Sequence, residues 1–108
     1  MKFLVTMEQV VSPDPQEFAQ HVEQVIIPNH EACVKLEAEG KILAGGWLAG
    51  ARDCAFVLEA ASSEEVTQLL TSLRLWSMMK VKVTPLESFE HRLAVARQTL
   101  ERVKATPK

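Results

Sequence analysis

Asn29-His30-Glu31, directly after Pro28, is the stretch of this chain whose residue types come closest to a proton-transfer site. Moving a proton next to a carbonyl requires a base that titrates near neutrality and a donor for the developing enolate oxygen. Histidine is the side chain whose ordinary titration lies nearest that range. Three are present. His21 and His30 lie nine residues apart on one predicted helix, which places them on opposite flanks of its apolar stripe. His91 falls on the charged side of the last predicted helix, where solvation is its expected role. Pro28 removes a helical hydrogen bond and predicts a kink, beside which a side chain or ligand can approach freed backbone groups. Asn29 projects onto the apolar stripe itself, so a buried Asn29 needs a hydrogen-bond partner. His30 is therefore the candidate base; the alternative is a histidine that only packs.

Other residues could wall or anchor a ligand. Trp47 and Trp76 can line an apolar pocket, although packing in the core is the commoner role of such rings. Arg52 can hold a carboxylate through two parallel hydrogen bonds; beside Asp53 it also reads as a solvent-facing hairpin ion pair. Gly45-Gly46 and Gly50 are flanked by strand patterns, not by the strand-to-helix junction of a phosphate loop. Their expected use is close approach of another backbone, a ring or a ligand. Cys33 and Cys54 sit among apolar neighbours on separate elements and are expected to be reduced and buried. No His, Cys or Asp cluster has zinc spacing, and Cys33 has no local base, so neither a metal site nor a thiol nucleophile is predicted.

The elements that must position these residues follow from pattern. Lys2 to Val10 alternates as a strand, and Ser12-Pro13-Asp14-Pro15 breaks it, with Asp14 as cap and Pro15 as the first helical residue. Phe18, Val22, Val25, Ile26, Cys33 and Leu36 then share one helix face up to Glu39, and Gly40 ends it. Lys41 to Ala49 and Arg52 to Ala60 read as a hairpin turning at Gly50-Ala51. Ser62 or Ser63 caps a second helix carrying Val66, Leu69, Leu70 and Leu73, and a strand through Met79, Val81 and Val83 stops at Pro85. Phe89, Leu93, Ala96, Leu100 and Val103 form a narrow stripe on a last, charged helix. That stripe can pack on its own sheet edge or pair with another subunit.

This order predicts an α+β, ferredoxin-like βαββαβ fold with a four-stranded antiparallel sheet and an extra C-terminal helix. Residues 1–88 form the domain and 89–108 the helix and tail. At 108 residues, with 47% hydrophobic and 24% charged, the chain is long enough for one core. A net charge of −2 and the lack of a basic stripe speak against nucleic acid. No apolar run reaches bilayer length, and the first ten residues read as a strand rather than a leader, so a cytoplasmic protein is expected. Large apolar side chains in both alternating sets of the strands, Phe3 and Leu4 or Phe56 and Val57, predict that the sheet's second face is buried in a homodimer.

The segment Ser62–Leu86 resembles, without a gap, the C-terminal half of the muconolactone isomerase family. MKFLVTM, the proline loop before the long helix, Leu36 through Glu39-Gly40-Lys41, and Ala49-Gly50 carry the similarity over the rest of the chain up to Leu86. The resemblance implies a dimeric α/β barrel, assembly beyond the dimer, and a double-bond shift in a small unsaturated lactone by proton transfer without metal or organic cofactor. It also implies a catalytic role for Glu31, which matches an acidic helix residue common in the family. The chain departs from the pattern at Ile42–Leu48, where only Trp47 is large and polar-capable, and at Leu73–Met79, which lacks the family's two prolines and tyrosine. The resulting expectation is a small-molecule isomerase with His30 and Glu31 as catalytic groups and Asn29, Trp47, Arg52 and Trp76 around a lactone-like or apolar ligand. The alternative is a non-catalytic oligomeric binding domain that kept the barrel and lost the site.

Overall fold

The computed structural model describes residues 1–106. β1 (Lys2–Gln9) leads to a helical run made of a 3-10 turn (Pro15–Glu17), α1 (Phe18–His21), a π-helical turn (Val22–Ile26) and α2 (Ile27–Ala38). β2 (Ile42–Trp47), β3 (Asp53–Glu59), α3 (Ser63–Thr71), β4 (Met79–Leu86) and α4 (Phe89–Ala105) follow. The Asp14 carboxylate accepts from the Gln16 N–H at 2.9 Å, and Pro15 occupies the first helical position, where a missing N–H leaves nothing unpaired. At the other end Gly40 takes φ +75°. There its N–H donates to the Glu37 carbonyl at 3.1 Å and the Lys41 N–H to that of Leu36 at 2.9 Å, closing the helix in a Schellman motif.

The disturbance predicted at Pro28 takes the form of a π-helical turn, a change of helical register. Pro28 has no N–H and its ring would collide with the carbonyl four residues back. The preceding turn widens to accommodate this: the Ile27 N–H donates to the carbonyl of Val22, five residues back. The wider turn rotates everything after it relative to everything before it, with consequences for the two histidines described below.

The sheet runs β2-β3-β1-β4, with β1 antiparallel to both neighbours and β2 antiparallel to β3. Phe3, Val5 and Met7 of β1 point to the helix side with Cys54, Phe56 and Leu58 of β3, and Val66, Leu70, Leu73 and Leu75 close over them. Val5, Leu58 and Leu70 are at most 2% exposed. Each such side chain stabilises the fold by about 1.5–3 kcal/mol. The second helix is capped by Ser62, whose hydroxyl accepts from the Glu65 N–H at 3.2 Å. The Glu65 carboxylate accepts in turn from the Ala61 N–H at 2.9 Å and from the Lys41 ammonium at 3.1 Å. These two partners, the backbone N–H first, hold Glu65 below the usual carboxylate range.

Three expectations are corrected here. Pro85 does not stop the last strand: β4 continues to Leu86 with Pro85 in register with Phe3, because an edge strand has a side on which no N–H is required. The barrel is also absent. β2 and β4 lie at opposite edges and do not pair, so the sheet stays open. Four strands are too few to curl round on themselves. The face away from the helices is also less apolar than both strand patterns implied. Leu4 opposes Val57 and Thr84, but Thr6 opposes Lys82 and Glu8 opposes Lys80.

α4 buries none of its side chains among the described residues. It makes the molecule long, with extents of 71 × 28 × 25 Å and a radius of gyration of 19.1 Å. A compact chain of this length would have a radius near ~13 Å. The stripe read from the sequence therefore does not cover its own sheet edge.

Candidate functional site

The site is built where α2 crosses the β2 end of the sheet. Asn29, Cys33 and Glu37 recur at steps of four along α2 and so share one helix face. With Met7, Gly45, Trp47, Cys54, Phe56, Leu75 and Met79 among the residues opposite, they line a cavity of about 120 Å³. An apolar cavity of ~150 Å³ holds a benzene ring, so the space suits one small ring. Its walls are overwhelmingly apolar, with Asn29 set into them.

Asn29 is 3% exposed, the one buried polar side chain among the described residues. Its Oδ1 accepts from the Leu75 N–H at 3.2 Å. This bond fixes the amide's orientation, since the Leu75 N–H can only be met by an acceptor. Among the described residues the amide's one hydrogen bond is this one, and Asn29 is part of the cavity wall. The departure of the Leu73–Met79 link from the family pattern is thus where the chain supplies the backbone N–H that orients the amide.

A second cavity of about 190 Å³ lies on the other side of Trp47 and Leu75, which line both. His21, His30, Arg52, Phe18 and Gln9 are among its walls. The His30 ring stands edge to face against Trp47, with centroids 5.3 Å apart and planes at 87°. His21 and His30 were expected on opposite flanks of the helix; the π-helical turn between them brings both to this one cavity.

The structure thus gathers four of the six predicted site residues around Trp47. Asn29 lines the first cavity, His30 and Arg52 the second, and Trp47 both. Glu31 is exposed and lines neither cavity. Trp76 is half-buried against the core and also lines neither. Sequence reasoning missed Cys33, Met7, Met79 and Leu75 as wall residues. The step of four from Asn29 to Cys33 to Glu37 was the available signal for the first.

Both cysteines are free thiols. Burial pushes the Cys33 thiol up, and burial, aided by the proximity of Cys33 and Asp53, pushes Cys54 up to about 11. At neutral pH they are neutral, apolar wall groups rather than nucleophiles. Alkylation of Cys54 by iodoacetamide, followed by mass spectrometry, should be negligible at pH 8 and rise about tenfold per pH unit toward 11. Rapid labelling at pH 8 would contradict this picture of the wall. Among the described residues no three His, Cys, Asp or Glu side chains are grouped to hold a metal ion, and no helix is long and apolar enough to cross a membrane.

An open antiparallel sheet in the order 2-3-1-4, with helices on one face and a cavity between helix and sheet, defines a ferredoxin-like domain. The chain belongs to the muconolactone delta-isomerase family, whose model matches residues 1–92. Among solved structures it is similar to a muconolactone isomerase, at 26% identity and a TM-score of 0.67, covering 82% of this chain and 90% of that one. It is also similar in fold to a 5-chloro-2-hydroxyhydroquinone dehydrochlorinase from Burkholderia phenoliruptrix AC1100 in complex with 2,5-dihydroxybenzoquinone. That likeness is at 18% identity and a TM-score of 0.60, covering 84% and 98% of the two chains. No curated protein sequence matches the chain.

Proposed function

We propose that the chain is a small-molecule isomerase that shifts a carbon–carbon double bond in a lactone-like ligand by proton transfer. The observation that carries this reading is the Asn29 amide: buried, held through Oδ1 by Leu75, and lining an apolar cavity of ring size. A donor fixed in a water-poor site favours the oxygen on which negative charge develops when a proton leaves carbon next to a conjugated carbonyl. In this reading the ligand's carbonyl meets Asn29 in the first cavity, and the Trp47 side chain, which lines both cavities, turns aside so that the acidic carbon meets His30. His30 takes the proton and returns it at the far end of the conjugated system, so atoms and charge balance. Arg52, at the mouth of the second cavity, offers two parallel donors to a carboxylate substituent. Glu31 has no part in this scheme, because it reaches neither cavity.

The reading takes further support from family membership and from the likeness to a muconolactone isomerase. We also place the protein in the cytoplasm, where two unpaired thiols lining one cavity persist reduced. We infer too that it works as a homodimer. The second reading, a binding domain without turnover, is favoured by the exposure of His30 and its place beyond Trp47. Turnover measured on a panel of small unsaturated lactones separates the two. Isomerisation by the wild type, lowered about 100- to 10,000-fold in kcat by His30→Ala, is the expected result. Lactone binding with no turnover in either protein would leave only the binding reading.

A further inference from the structure

Sulfur is concentrated in the wall of the first cavity. Cys33 and Cys54 are both of the chain's 2 cysteines, and Met7 and Met79 are two of its 4 methionines. Three of these side chains stand together on the helix-facing side of the sheet. Met7 of β1 is directly opposite Cys54 of β3, and Met79 of β4, the partner of Gln9, stands diagonal to Met7. Side chains opposite each other on one face start about 4.5–5.5 Å apart and diagonal ones about 7–8 Å, within reach of long side chains. Met7, Cys54 and Met79 are 3%, 7% and 9% exposed. Cys33 comes from α2, is half-buried, and lies near enough to Cys54 to oppose a negative charge on it. Leucine or valine would fill the same core; what this set adds is four soft donor atoms.

We propose that these four sulfurs form a binding site for one soft cation, monovalent copper. Thiolate and thioether donors favour Cu(I) over harder ions. Zinc takes thiolate, imidazole and carboxylate, and no three such side chains are grouped among the described residues. The two thioethers, which zinc does not use, bring the donor set to four for copper alone. Charge selects the same ion. As the Cu–S bond forms, one thiol gives up its proton to solvent, and the thiolate neutralises the cation. The second thiol and the two thioethers bind as neutral donors, and no electron is transferred. A neutral centre suits a wall of mostly apolar groups, where a leftover charge would be costly. A divalent ion would need both thiols to ionise side by side, against the burial that opposes each. The half-buried Cys33 gives an incoming ion its first contact. Neither His30, Arg52 nor the Asn29 amide takes part, so the site is independent of isomerase activity.

Cu(I) titrated into the reduced protein under nitrogen, in competition with the chelator bicinchoninate, tests the site. One ion bound per chain and one proton released per ion are expected, with X-ray absorption reporting a shell of sulfur alone. Met7→Leu combined with Met79→Leu conserves volume and should leave the melting temperature close to that of the wild type. It should weaken Cu(I) binding at least about tenfold, because it removes two donors and nothing else. Cys33→Ser combined with Cys54→Ser removes both groups that can give up the proton and should abolish uptake. Zn2+ at equal concentration should not displace the copper. Failure of the wild type to take Cu(I) from bicinchoninate would overturn the proposal. So would nitrogen or oxygen in the shell, displacement by Zn2+, or uptake that survives in the double serine variant. Wild-type affinity in the double leucine variant would reduce the site to two thiols and overturn the four-sulfur assignment.

Discussion

Asn29→Asp is expected to lower kcat for lactone isomerisation by about 100- to 1,000-fold, the effect of losing one oriented donor to an oxyanion. Aspartate keeps the shape and the acceptor that meets the Leu75 N–H, but replaces the Nδ2 donor with a second acceptor. The loss should appear in kcat more than in KM, because the donor matters most when the ligand oxygen becomes charged. Asn29→Ala separates the structural part. It leaves the buried Leu75 N–H without a partner, at a cost of about 1–3 kcal/mol, and should therefore lower the melting temperature as well as kcat. If aspartate and alanine both melt lower and both retain kcat, Asn29 is only a tie between α2 and the link before β4, and the catalytic scheme loses its oxyanion donor.

Gly45→Ala should be the most damaging single methyl addition in the molecule. Gly45 has φ +124°, a region that L side chains rarely enter, and it opposes Phe56 in the β2–β3 register. A Cβ there would run into the carbonyl oxygen of Ala55 and the backbone of Phe56. Because those atoms belong to the neighbouring strand's backbone, no side-chain rotation relieves the overlap. A loss of about 3 kcal/mol is expected from strain and overpacking together, a fall in melting temperature of at least ~10 °C. Gly46→Ala, next door, is the control: a Cβ there meets nothing and the backbone is not in the positive-φ region, so melting should barely move. Calorimetry on the two variants checks the contrast. Equal melting of both would contradict the tight β2–β3 approach on which the cavity wall depends.

What was legible in the sequence was local. Asp14-Pro15 and Glu39-Gly40 place helix ends by capping rules that need no tertiary information, and of the two candidates Ser62 and Ser63 the structure uses Ser62. The alternation of Phe3, Val5 and Met7 likewise placed the buried face of β1. Asn29 was readable as a polar residue on an apolar stripe that needed a partner, but not that the partner would be Leu75, 46 residues away. The π-helical turn was not legible. Pro28 predicts a disturbance, but whether the turn before it widens depends on how the flanking turns pack. That choice moved His21 from the far flank to the cavity it shares with His30. The closed barrel was an expectation from likeness, and strand order in one chain leaves the sheet open. The charged residues on the outer face, Lys80, Lys82 and Glu8, were visible as alternation, yet Leu4 and Val57 drew the reading toward a wholly apolar face.

The proton's path tests the isomerase reading most directly. Incubating the protein with a small unsaturated lactone in D2O and following the ring carbons by NMR reports proton removal even where the net equilibrium hides turnover. The account predicts protein-dependent incorporation of deuterium at the carbon conjugated to the carbonyl, reduced at least ~100-fold by His30→Gln. Incorporation no faster than in buffer, from a lactone shown by the same spectra to be bound in the Asn29 cavity, would contradict it.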